Sequence, residues 1–294
     1  MPFPAGMNGR FGKFCGNISS TADIFLPDMP QAWKPSPFVK FSIATHAAAG
    51  IALLVAPDNW PWALAAVVIN QALLTVAGLL PLTTLLGPNL NCLPVAAITR
   101  REIVLTIDDG PDPEVTPRVL DLLAAAGAKA SFFCIGRKAD QYPALCREIA
   151  ARGHSVENHG DSHSWFFALF GYRRMKADIG AAQEKIAQIT GRPPQFFRPT
   201  AGLRNPVLDP VLSHLDLKLA SWTRRPYDTY EGNEQRVYER LVENLAPGDI
   251  LLMHDGHAAR TLSGEPVILV VLPRLLHKLS ELRLNPVTLP VALK

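Results

Sequence analysis

The sequence predicts an α/β domain that follows an N-terminal helical hairpin. Two stretches of about twenty mostly apolar residues, 38–56 and 60–80, lie close together, and each is long enough to cross a hydrocarbon core of about 30 Å as a helix. From Arg101 onward, short apolar runs alternate with segments of helical periodicity, a pattern typical of a parallel sheet covered by helices. The second part is therefore barrel-like or doubly wound, and in both architectures the chemistry gathers at the C-terminal ends of the strands.

The composition favours a protein with a membrane part. The hydrophobic fraction is 48%, which is high for a purely soluble chain. The formal net charge is only +3 and the Lys and Arg residues are scattered, so a nucleic-acid-binding surface is not predicted. The four cysteines form no CxxC pair, which argues against a disulfide scaffold and favours a reducing compartment. None of these features predicts an oligomeric state.

The chain before the α/β domain divides into three predicted segments. Residues 1–37 are rich in Gly, Pro and Asn without sustained periodicity, and we interpret them as a flexible leader rather than a signal peptide. A transmembrane helical hairpin follows at 38–80, and a linker at 81–100. Trp60 and Trp62 lie where an interfacial aromatic belt is expected.

Polar residues inside the two apolar stretches leave an alternative open. His46, Asn70 and Gln71 favour a pair of buried helices in a soluble domain. If the hairpin spans a membrane, its orientation follows from charge, because its turn holds only Asp58 whereas both flanks are basic. The flanking basic residues are Arg10, Lys13, Lys34, Lys40, Arg100 and Arg101. The positive-inside bias then puts both flanks, and with them the α/β domain, on the cytoplasmic side of the plasma (inner) membrane.

The elements of the α/β domain follow from apolar runs and from the breaks between them. The predicted strands are 102–107, 130–135, 154–158, 196–198, 217–222, 250–254 and a last one near Val287. The predicted helices are 116–126, 138–151, 174–190, 234–245 and 268–282. Gly127, Gly153 and Gly191 mark the ends of the first three helices, since Gly is the usual residue just beyond a helix.

Asp108 and Asp109 follow the first predicted strand and precede the turn dipeptide Gly110–Pro111. Successive side chains on a strand point in different directions, so two consecutive carboxylates can take different roles. Asp is also common in solvated turns and at helix starts. Alone, this pair is therefore evenly balanced between a functional site and a surface turn.

His159 and His163 are separated by three residues, a spacing that lets two imidazoles meet and bind a metal. A pair at this spacing is often coincidental, but this one lies beyond a strand end, the same kind of location as Asp109. Two His and one Asp form a facial ligand set with open positions for water. Zinc suits such a set, and cobalt, iron and nickel also fit it.

Three further polar residues lie at or beyond strand ends. Arg198 ends an apolar strand, where it can either reach the surface or hold a carboxylate by a fork-like contact. His254 follows the buried run 250–253, where a histidine can simply cap the sheet. Asp228 lies six residues beyond Trp222 and is, alone, typical of a solvated loop.

The strand-end residues belong to segments that resemble the motifs of a known family, the NodB-homology polysaccharide deacetylases of carbohydrate esterase family 4. The segment 106–111, TIDDGP, resembles the family's first motif, TFDDGP. The segment 153–163, GHSVENHGDSH, resembles the second, in which two histidines frame three residues. The resemblance runs in the family's order from about Arg101 to the C-terminus.

The remaining motifs match less closely. The segment 197–202, FRPTAG, matches the third motif, RxPYG, at Arg198 and Gly202. The segment 221–228, SWTRRPYD, is a degenerate fourth motif, and 252–254, LMH, is similar to the fifth, LxH.

The resemblance implies a distorted (β/α)7 barrel over 101–294 and a hydrolase that removes an acyl group from the amide nitrogen of an amino sugar. One divalent metal ion, zinc or else cobalt, nickel or iron, would be held by Asp109, His159 and His163. The metal would polarise the substrate carbonyl and activate a water.

The resemblance also implies roles for the other candidates. Asp108 would be the general base and Arg198 would position it. His254 would be the general acid that protonates the leaving amine, with Asp228 as its orienting partner. The backbone N–H of Ala201, which aligns with the Tyr of the third motif, would meet the developing oxyanion.

Two departures bear on the substrate. Arg225 and Thr229 replace an Asp and a Trp of the fourth motif, and Ala201 removes an aromatic wall from the pocket. Trp222 is therefore expected to line the pocket or the core. These changes affect the sugar specificity and leave the metal chemistry intact.

The leading hypothesis is a membrane-tethered enzyme that releases acetate from an N-acylated amino sugar in a glycan or in a lipid-linked saccharide. One alternative is a deformylase acting on a lipid-linked amino sugar with the same metal chemistry. Another is a catalytically inactive glycan-binding membrane protein, which the complete set of candidate residues argues against. A phosphoryl-transfer protein is not predicted, because the chain lacks a GxxxxGK[ST] loop.

Overall fold

The computed structural model describes residues 33–294, so the predicted leader up to residue 32 lies outside the described residues. The first two helices form the predicted hairpin. They are α1 (Pro37–Val55) and α2 (Trp60–Leu79), joined by a one-turn 3-10 helix at Pro57–Asn59.

The exposure of the hairpin bears on the two sequence-based interpretations. Both helices are long and apolar enough to cross a membrane, by length and composition alone. In the apolar 18-residue stretches of Pro37–Val55 and Pro57–Leu79, only 17% and 22% of the residues are buried. The side chains of Leu54 and Trp62 are 85% and 77% exposed. The core helix of a soluble protein would bury an apolar face against its neighbours. The exposure therefore disfavours a pair of buried helices.

The polar residues of the hairpin bond to one another across the two helices. The side-chain amide of Asn70 donates to the hydroxyl of Ser42 at 2.7 Å. The Nε2 atoms of Gln71 and His46 lie 3.1 Å apart. Polar groups in apolar surroundings are costly unless they are paired, and helices in membranes commonly pair them in this way. His46, Asn70 and Gln71 are thus compatible with a membrane-spanning hairpin.

The α/β domain alternates strands and helices as predicted. In the described part of the chain its strands are β1 (Glu102–Gly110), β2 (Ala130–Cys134), β3 (Ser155–Asn158), β4 (Phe196–Phe197), β5 (Lys218–Leu219), β6 (Ile250–His254) and β7 (Asn285–Val287). Its helices are α3 (Val95–Thr99), α4 (Thr116–Ala125), α5 (Gly136–Gln141), α6 (Pro143–Ala151), α7 (Tyr172–Thr190), α8 (Leu208–His214), α9 (Glu234–Val242), α10 (Val267–Glu281) and α11 (Leu289–Ala292).

All strand pairs are parallel, in the order β5-β4-β3-β2-β1-β6, and β7 also pairs with β1. The segment after β5 curls this sheet into a barrel. The amide of Ala220 donates to Phe197 of β4, whereas three residues later the amide of Thr223 donates to Ile250 of β6. One segment thus contacts both ends of the strand order, and the fold is the distorted (β/α)7 barrel implied by the resemblance.

Alternate side chains of β1 belong to two different core clusters, one on each face of the sheet. Ile103, Leu105 and Ile107 belong to the core between the sheet and its covering helices. Val104 belongs to a second core cluster inside the curled sheet. Successive side chains on a strand point to opposite faces, so the next inward-facing positions after Val104 are Thr106 and Asp108. A candidate catalytic carboxylate therefore lies at the end of an inward-facing row.

Some predicted elements differ from those observed. The helix predicted over 138–151 is divided into α5 and α6 at Tyr142, because Pro143 cannot donate a hydrogen bond into a continuing helix. The strand predicted over 217–222 is only Lys218–Leu219, because the chain then changes its pairing partner. The short helices α3, α8 and α11 were not predicted.

The segment predicted as a linker, 81–100, packs against the barrel. Leu86, Leu93 and Ala97 are buried, and the amide of Leu93 donates to the carbonyl of Gly248 at 2.9 Å. The hairpin is therefore fastened to the α/β domain through a segment that contributes to its core.

Candidate metal centre and active site

The two consecutive carboxylates lie at the C-terminal end of β1 and face different partners. Asp108 is in register with His254 of β6 and with Phe133 of β2. Asp109 has a φ of +72°, a left-handed conformation that is uncommon outside glycine. Both side chains are buried, at 2% and 5% exposure of the residue. This backbone turn lets Asp108 contact a buried arginine while Asp109 meets three imidazoles.

Asp109, His159 and His163 converge on one point. Asp109 Oδ1 lies 3.1 Å from His159 Nε2 and 2.9 Å from His163 Nε2. The three candidate donor atoms lie within 4.8 Å of one another. Asp109 and His159 are buried, whereas His163 is half-buried, so the cluster opens to solvent on the His163 side. The structure thus brings together the three residues predicted to bind a metal.

The hydrogen bonding of this cluster fits a cation. His159 Nδ1 lies 2.7 Å from the carbonyl oxygen of Arg198 and must donate to it, which leaves Nε2 with its lone pair in the neutral ring. Within the described residues, Asp109 Oδ1 is buried and has no hydrogen-bond partner, although both Nε2 atoms lie close to it. One carboxylate oxygen and two imidazole nitrogens that approach one another in this way are a suitable ligand set for a divalent metal such as zinc.

The electrostatics of Asp109 agree with this interpretation. Burial alone would raise the pKa of Asp109, but the imidazoles of His159, His163 and His257 hold it well below its usual range. The carboxylate is therefore ionised, as a metal ligand must be.

Asp108 is held by Arg198, whose guanidinium is buried inside the barrel. Arg198 Nη1 donates to Asp108 Oδ1 at 2.7 Å and to Thr106 Oγ1 at 2.8 Å. The other guanidinium nitrogens donate to the carbonyls of Ala220 and Ser221 at 3.0 and 2.7 Å. One oxygen of Asp108 is thus fixed, and the other, Oδ2, lies 4.0 Å from His159 Nε2. A carboxylate so oriented faces the candidate metal-binding cluster.

His254 and Asp228 form a second pair beside the first. His254 Nδ1 lies 2.7 Å from Asp228 Oδ1, and the backbone amide of His254 donates to Asp228 Oδ2 at 2.8 Å. Burial opposes a charge on this imidazole, but the carboxylate of Asp228, with smaller contributions from Asp108 and Asp109, outweighs burial and raises the pKa of His254 to about 9. His254 is therefore protonated at neutral pH and can give up a proton from Nε2.

The two residues predicted near the substrate lie on adjoining segments. Ala201 is in a one-turn 3-10 helix with a φ of +56°. Trp222 is 5% exposed, and a Cβ at Gly202 would lie 2.5 Å from its ring. Gly202 is therefore required for the close packing of the third-motif turn on Trp222. The guanidinium of Arg225 lies over the same ring, at 5.3 Å from its centroid.

Sequence reasoning missed His257. Its Nδ1 lies 3.3 Å from Asp109 Oδ2, and its ring stacks on that of His163 with centroids 5.8 Å apart. The chain reaches this position through Gly256, where a Cβ would lie 2.1 Å from the carbonyl oxygen of Asp109, and through a left-handed φ of +59° at His257. The sequence shows only that His257 follows the strand-end His254 by three residues, with Gly256 between them. This spacing alone does not indicate that the imidazole of His257 points toward Asp109.

A half-buried lysine and a buried carboxylate support the end of β1. Lys138 Nζ donates to the carbonyl of Asp109 at 2.8 Å. The carboxylate of Asp255 accepts hydrogen bonds from the hydroxyl of Thr116 and the amide of Gly256. Burial raises the pKa of Asp255 to about 6. These contacts hold the turn that carries Asp109 against the loop that carries His257.

Comparisons with known proteins identify the family. The family model for polysaccharide deacetylases matches residues 97–220. A chitooligosaccharide deacetylase of Azorhizobium caulinodans is 34% identical over 164 residues, which cover 55% of this chain and 78% of that protein. This chain belongs to the polysaccharide deacetylase family. A peptidoglycan-N-acetylglucosamine deacetylase of Bacillus cereus is 33% identical over 156 residues, covering 52% of this chain and 72% of that protein.

The fold of this deacetylase-family chain agrees with a solved relative. A crystal structure of a peptidoglycan N-acetylglucosamine deacetylase superposes with a TM-score of 0.63 and 27% identity, covering 69% of this chain and 92% of the other. The resemblance of the strand-end motifs to this family is thus confirmed. As a member of it, the chain is a hydrolase acting on carbon–nitrogen bonds other than peptide bonds.

We expect replacement of His257 with Ala to weaken zinc binding by about 10–100-fold, because outer hydrogen-bond partners orient the ligating group. Competition against a chromogenic chelator measures the dissociation constant. His257→Asn should retain most of the affinity, since its amide can donate to Asp109 Oδ2. His277→Ala, which removes an exposed imidazole of α10, is the matched control. Unchanged affinity in His257→Ala would contradict this role.

Proposed function

We propose that this chain is a metal-dependent amino-sugar N-deacetylase anchored in a membrane. One observation carries the proposal. A cluster that can hold a cation, a carboxylate fixed by a buried arginine and a protonated histidine lie at the C-terminal ends of β1, β3 and β6 of one sheet. Amide hydrolysis needs all three functions, which are polarisation of the carbonyl, deprotonation of a water and protonation of the amine.

Asp109, His159 and His163 would hold one divalent ion, for which zinc suits the donor set and cobalt, nickel and iron also fit. When bound, the ion supplies a Lewis acid that polarises the acyl carbonyl and lowers the pKa of a nearby water.

The protein's own groups then move the protons. Asp108, with one oxygen held by Arg198 and the other facing the cluster, takes a proton from the attacking water as the new C–O bond forms. His254 gives its Nε2 proton to the amine nitrogen as the C–N bond breaks, and Asp228 keeps its ring oriented. The backbone N–H of Ala201 is the candidate donor to the oxyanion, and Trp222 is the candidate wall of the sugar pocket.

The substrate class is inferred from the relatives. Their names specify N-acetylated amino sugars in chitooligosaccharides and peptidoglycan. These names favour an N-acetyl group over the formyl group considered from the sequence. The intact set of charged pairs supports an active enzyme rather than an inactive glycan-binding protein.

The hairpin supports action at a membrane surface, on a glycan or a lipid-linked saccharide. Ser221, whose carbonyl accepts from Arg198, also donates through its hydroxyl to Pro81, two residues beyond the end of α2. The Arg198–Asp108 pair is thus connected to the chain that leaves the hairpin by two successive hydrogen bonds, through Ser221. The basic flanks of the hairpin support a cytoplasmic position of the α/β domain at the inner membrane.

Asp108→Asn should abolish acetate release from N-acetylated amino sugars, because the amide cannot accept the water proton. The variant should still bind about one zinc per chain, since Asp108 is not among the candidate ligands. Acetate is measured enzymatically and zinc by atomic emission. Asp140→Asn, which changes an exposed carboxylate of α5, is the control. Full activity in Asp108→Asn would refute the mechanism.

The pH profile should report His254. Its raised pKa means that the acid form is present below about pH 9, so activity should fall as the pH rises through about 9. Removing the negative charge in Asp228→Asn should move this alkaline limb toward the ordinary histidine value of 6.5. The measurement is kcat against pH on a soluble chitooligosaccharide. An alkaline limb that stays in place in Asp228→Asn would exclude His254 as the acid.

Membrane anchoring predicts that the full-length chain stays in the membrane fraction after alkaline carbonate extraction and needs detergent for release. A tag at the C-terminus should be protected from protease in spheroplasts of a bacterial host and be digested after lysis. Recovery of the chain in the soluble fraction would refute the anchor. Digestion of the tag in intact spheroplasts would reverse the proposed side.

A further inference from the structure

The loop that follows the second metal-binding histidine exposes large apolar side chains. Trp165, Phe166 and Leu169 are 81%, 68% and 79% exposed. The same loop buries Phe167 and Phe170, whose rings lie 5.6 Å apart. Two buried rings therefore fix the loop, and the outward direction of the other three is built into the fold. We call Trp165, Phe166 and Leu169 the apolar loop patch.

The apolar loop patch is fastened close to the domain end of the hairpin. The side-chain amide of Asn205 donates to the carbonyls of Ala168 and Phe170 at 2.8 and 3.0 Å. The amide of the preceding residue, Arg204, donates to the carbonyl of Gly78 in the last turn of α2 at 3.2 Å. A Cβ at Gly78 would lie 2.2 Å from the Arg204 carbonyl oxygen, so the two segments touch.

The length of α2 sets the level of a bilayer relative to this junction. Twenty helical residues extend about 30 Å, which is the thickness of the hydrocarbon core. If Trp60 is at one boundary, Leu79 is at the other, next to the junction with Arg204. Leu80, Leu82 and Leu85, just beyond α2, are 51%, 44% and 45% exposed and continue the apolar surface.

Basic and aromatic residues border the apolar loop patch. Tyr172 and Arg173 at the start of α7 are exposed, and the guanidinium of the exposed Arg174 lies 3.8 Å from the ring centroid of Phe170. Large apolar side chains beside tyrosine and arginine are typical of surfaces that enter the headgroup layer of anionic membranes. The charge and the apolar area thus fit the same partner.

We infer that the apolar loop patch enters the interfacial layer of the leaflet that holds the domain end of the hairpin, with Arg173 and Arg174 at its phosphates. This inference rests on the proposed membrane anchor. Trp165 lies two residues after His163, which forms the solvent side of the metal-binding cluster. The mouth of the site therefore opens at the membrane surface, and the substrate is an amphiphile whose lipid stays in that leaflet while its sugar reaches the cluster.

Tryptophan quenching tests the contact directly. The full-length chain is reconstituted in vesicles of phosphatidylcholine and phosphatidylglycerol, with acyl chains either brominated near the glycerol or unbrominated. The emission lost in Trp165→Phe gives the Trp165 component among the five tryptophans. This component should be quenched by the brominated lipid, because bromine acts only over short range. Equal emission in both vesicles would overturn the inference.

The emission lost in Trp62→Phe gives the Trp62 component, which is the positive control for the anchor. Trp62 lies near the start of α2 and is therefore expected at the opposite boundary of the bilayer. Quenching of Trp62 without quenching of Trp165 would refute the loop contact and leave the anchored enzyme intact. Absence of quenching for both tryptophans would refute the anchor itself. The proposed reaction is tested independently of the anchor by deacetylation of a soluble chitooligosaccharide.

A kinetic comparison tests the consequence for the substrate. The loop variant carries Trp165→Ser, Phe166→Ser and Leu169→Ser. The control variant carries Leu262→Ser and Val291→Ser, at two exposed apolar residues outside the loop. The loop variant should lose about tenfold or more in kcat/KM on a lipid-linked N-acetylglucosamine in vesicles and keep wild-type kinetics on a soluble chitooligosaccharide. An equal loss on both substrates would assign the loop to the sugar cleft. A dimer that is abolished in the loop variant would assign the patch to a second copy of the chain. Either result overturns the inference.

Discussion

The buried guanidinium of Arg198 connects nearly every part of the site. Its side chain binds Asp108 and the carbonyls of the segment that closes the barrel, and its own carbonyl accepts from His159. A fully buried cation is tolerated only when it is paired and hydrogen-bonded. Burial lowers the pKa of Arg198 and the carboxylate of Asp108 opposes that effect, so the carboxylate compensates the buried charge. The candidate base Asp108, the candidate metal ligand His159 and the segment that closes the sheet thus all contact one residue.

The two carboxylates after β1 acquire different chemistry from one change in backbone direction. Asp108 continues the inward-facing row of the strand and meets Arg198. Asp109 leaves the strand with a left-handed φ and meets the imidazoles. A strain of this kind persists only where the surroundings over-determine it. Here Lys138 holds the Asp109 carbonyl, and Gly256, which no larger residue could replace without a clash, lies against it.

The sequence predicted the parts of this arrangement that depend on local pattern. Apolar runs located β1, β2, β3 and β6, and the rule that chemistry gathers at strand ends made Asp108, Asp109, His159 and His254 candidates. Each position alone also fitted a structural role, and the resemblance of the motifs to a known family implied the functions. What depends on distant contacts was not predictable. Closure of the barrel by the segment after β5 needs two partners far apart in the chain, and the approach of His257 to Asp109 needs a turn through positive φ. Short helices such as α8 form because tertiary packing stabilises them, since segments of that length carry little propensity of their own.

The junction between hairpin and barrel also accounts for a departure in the third motif. Ala201 offers no aromatic ring to the pocket, yet the turn that carries it packs against Trp222 and against Pro81, which would lie 2.9 Å from a Cβ at Gly202. The hydroxyl of Ser221 binds the carbonyl of Pro81 in the same place. The chain that leaves α2 thus packs behind the turn at Ala201, where the family's aromatic side chain would line the pocket. Hydrogen bonds connect Pro81, just beyond α2, through Ser221 to Arg198 and the candidate general base Asp108, so a shift of α2 would reach this pair along them.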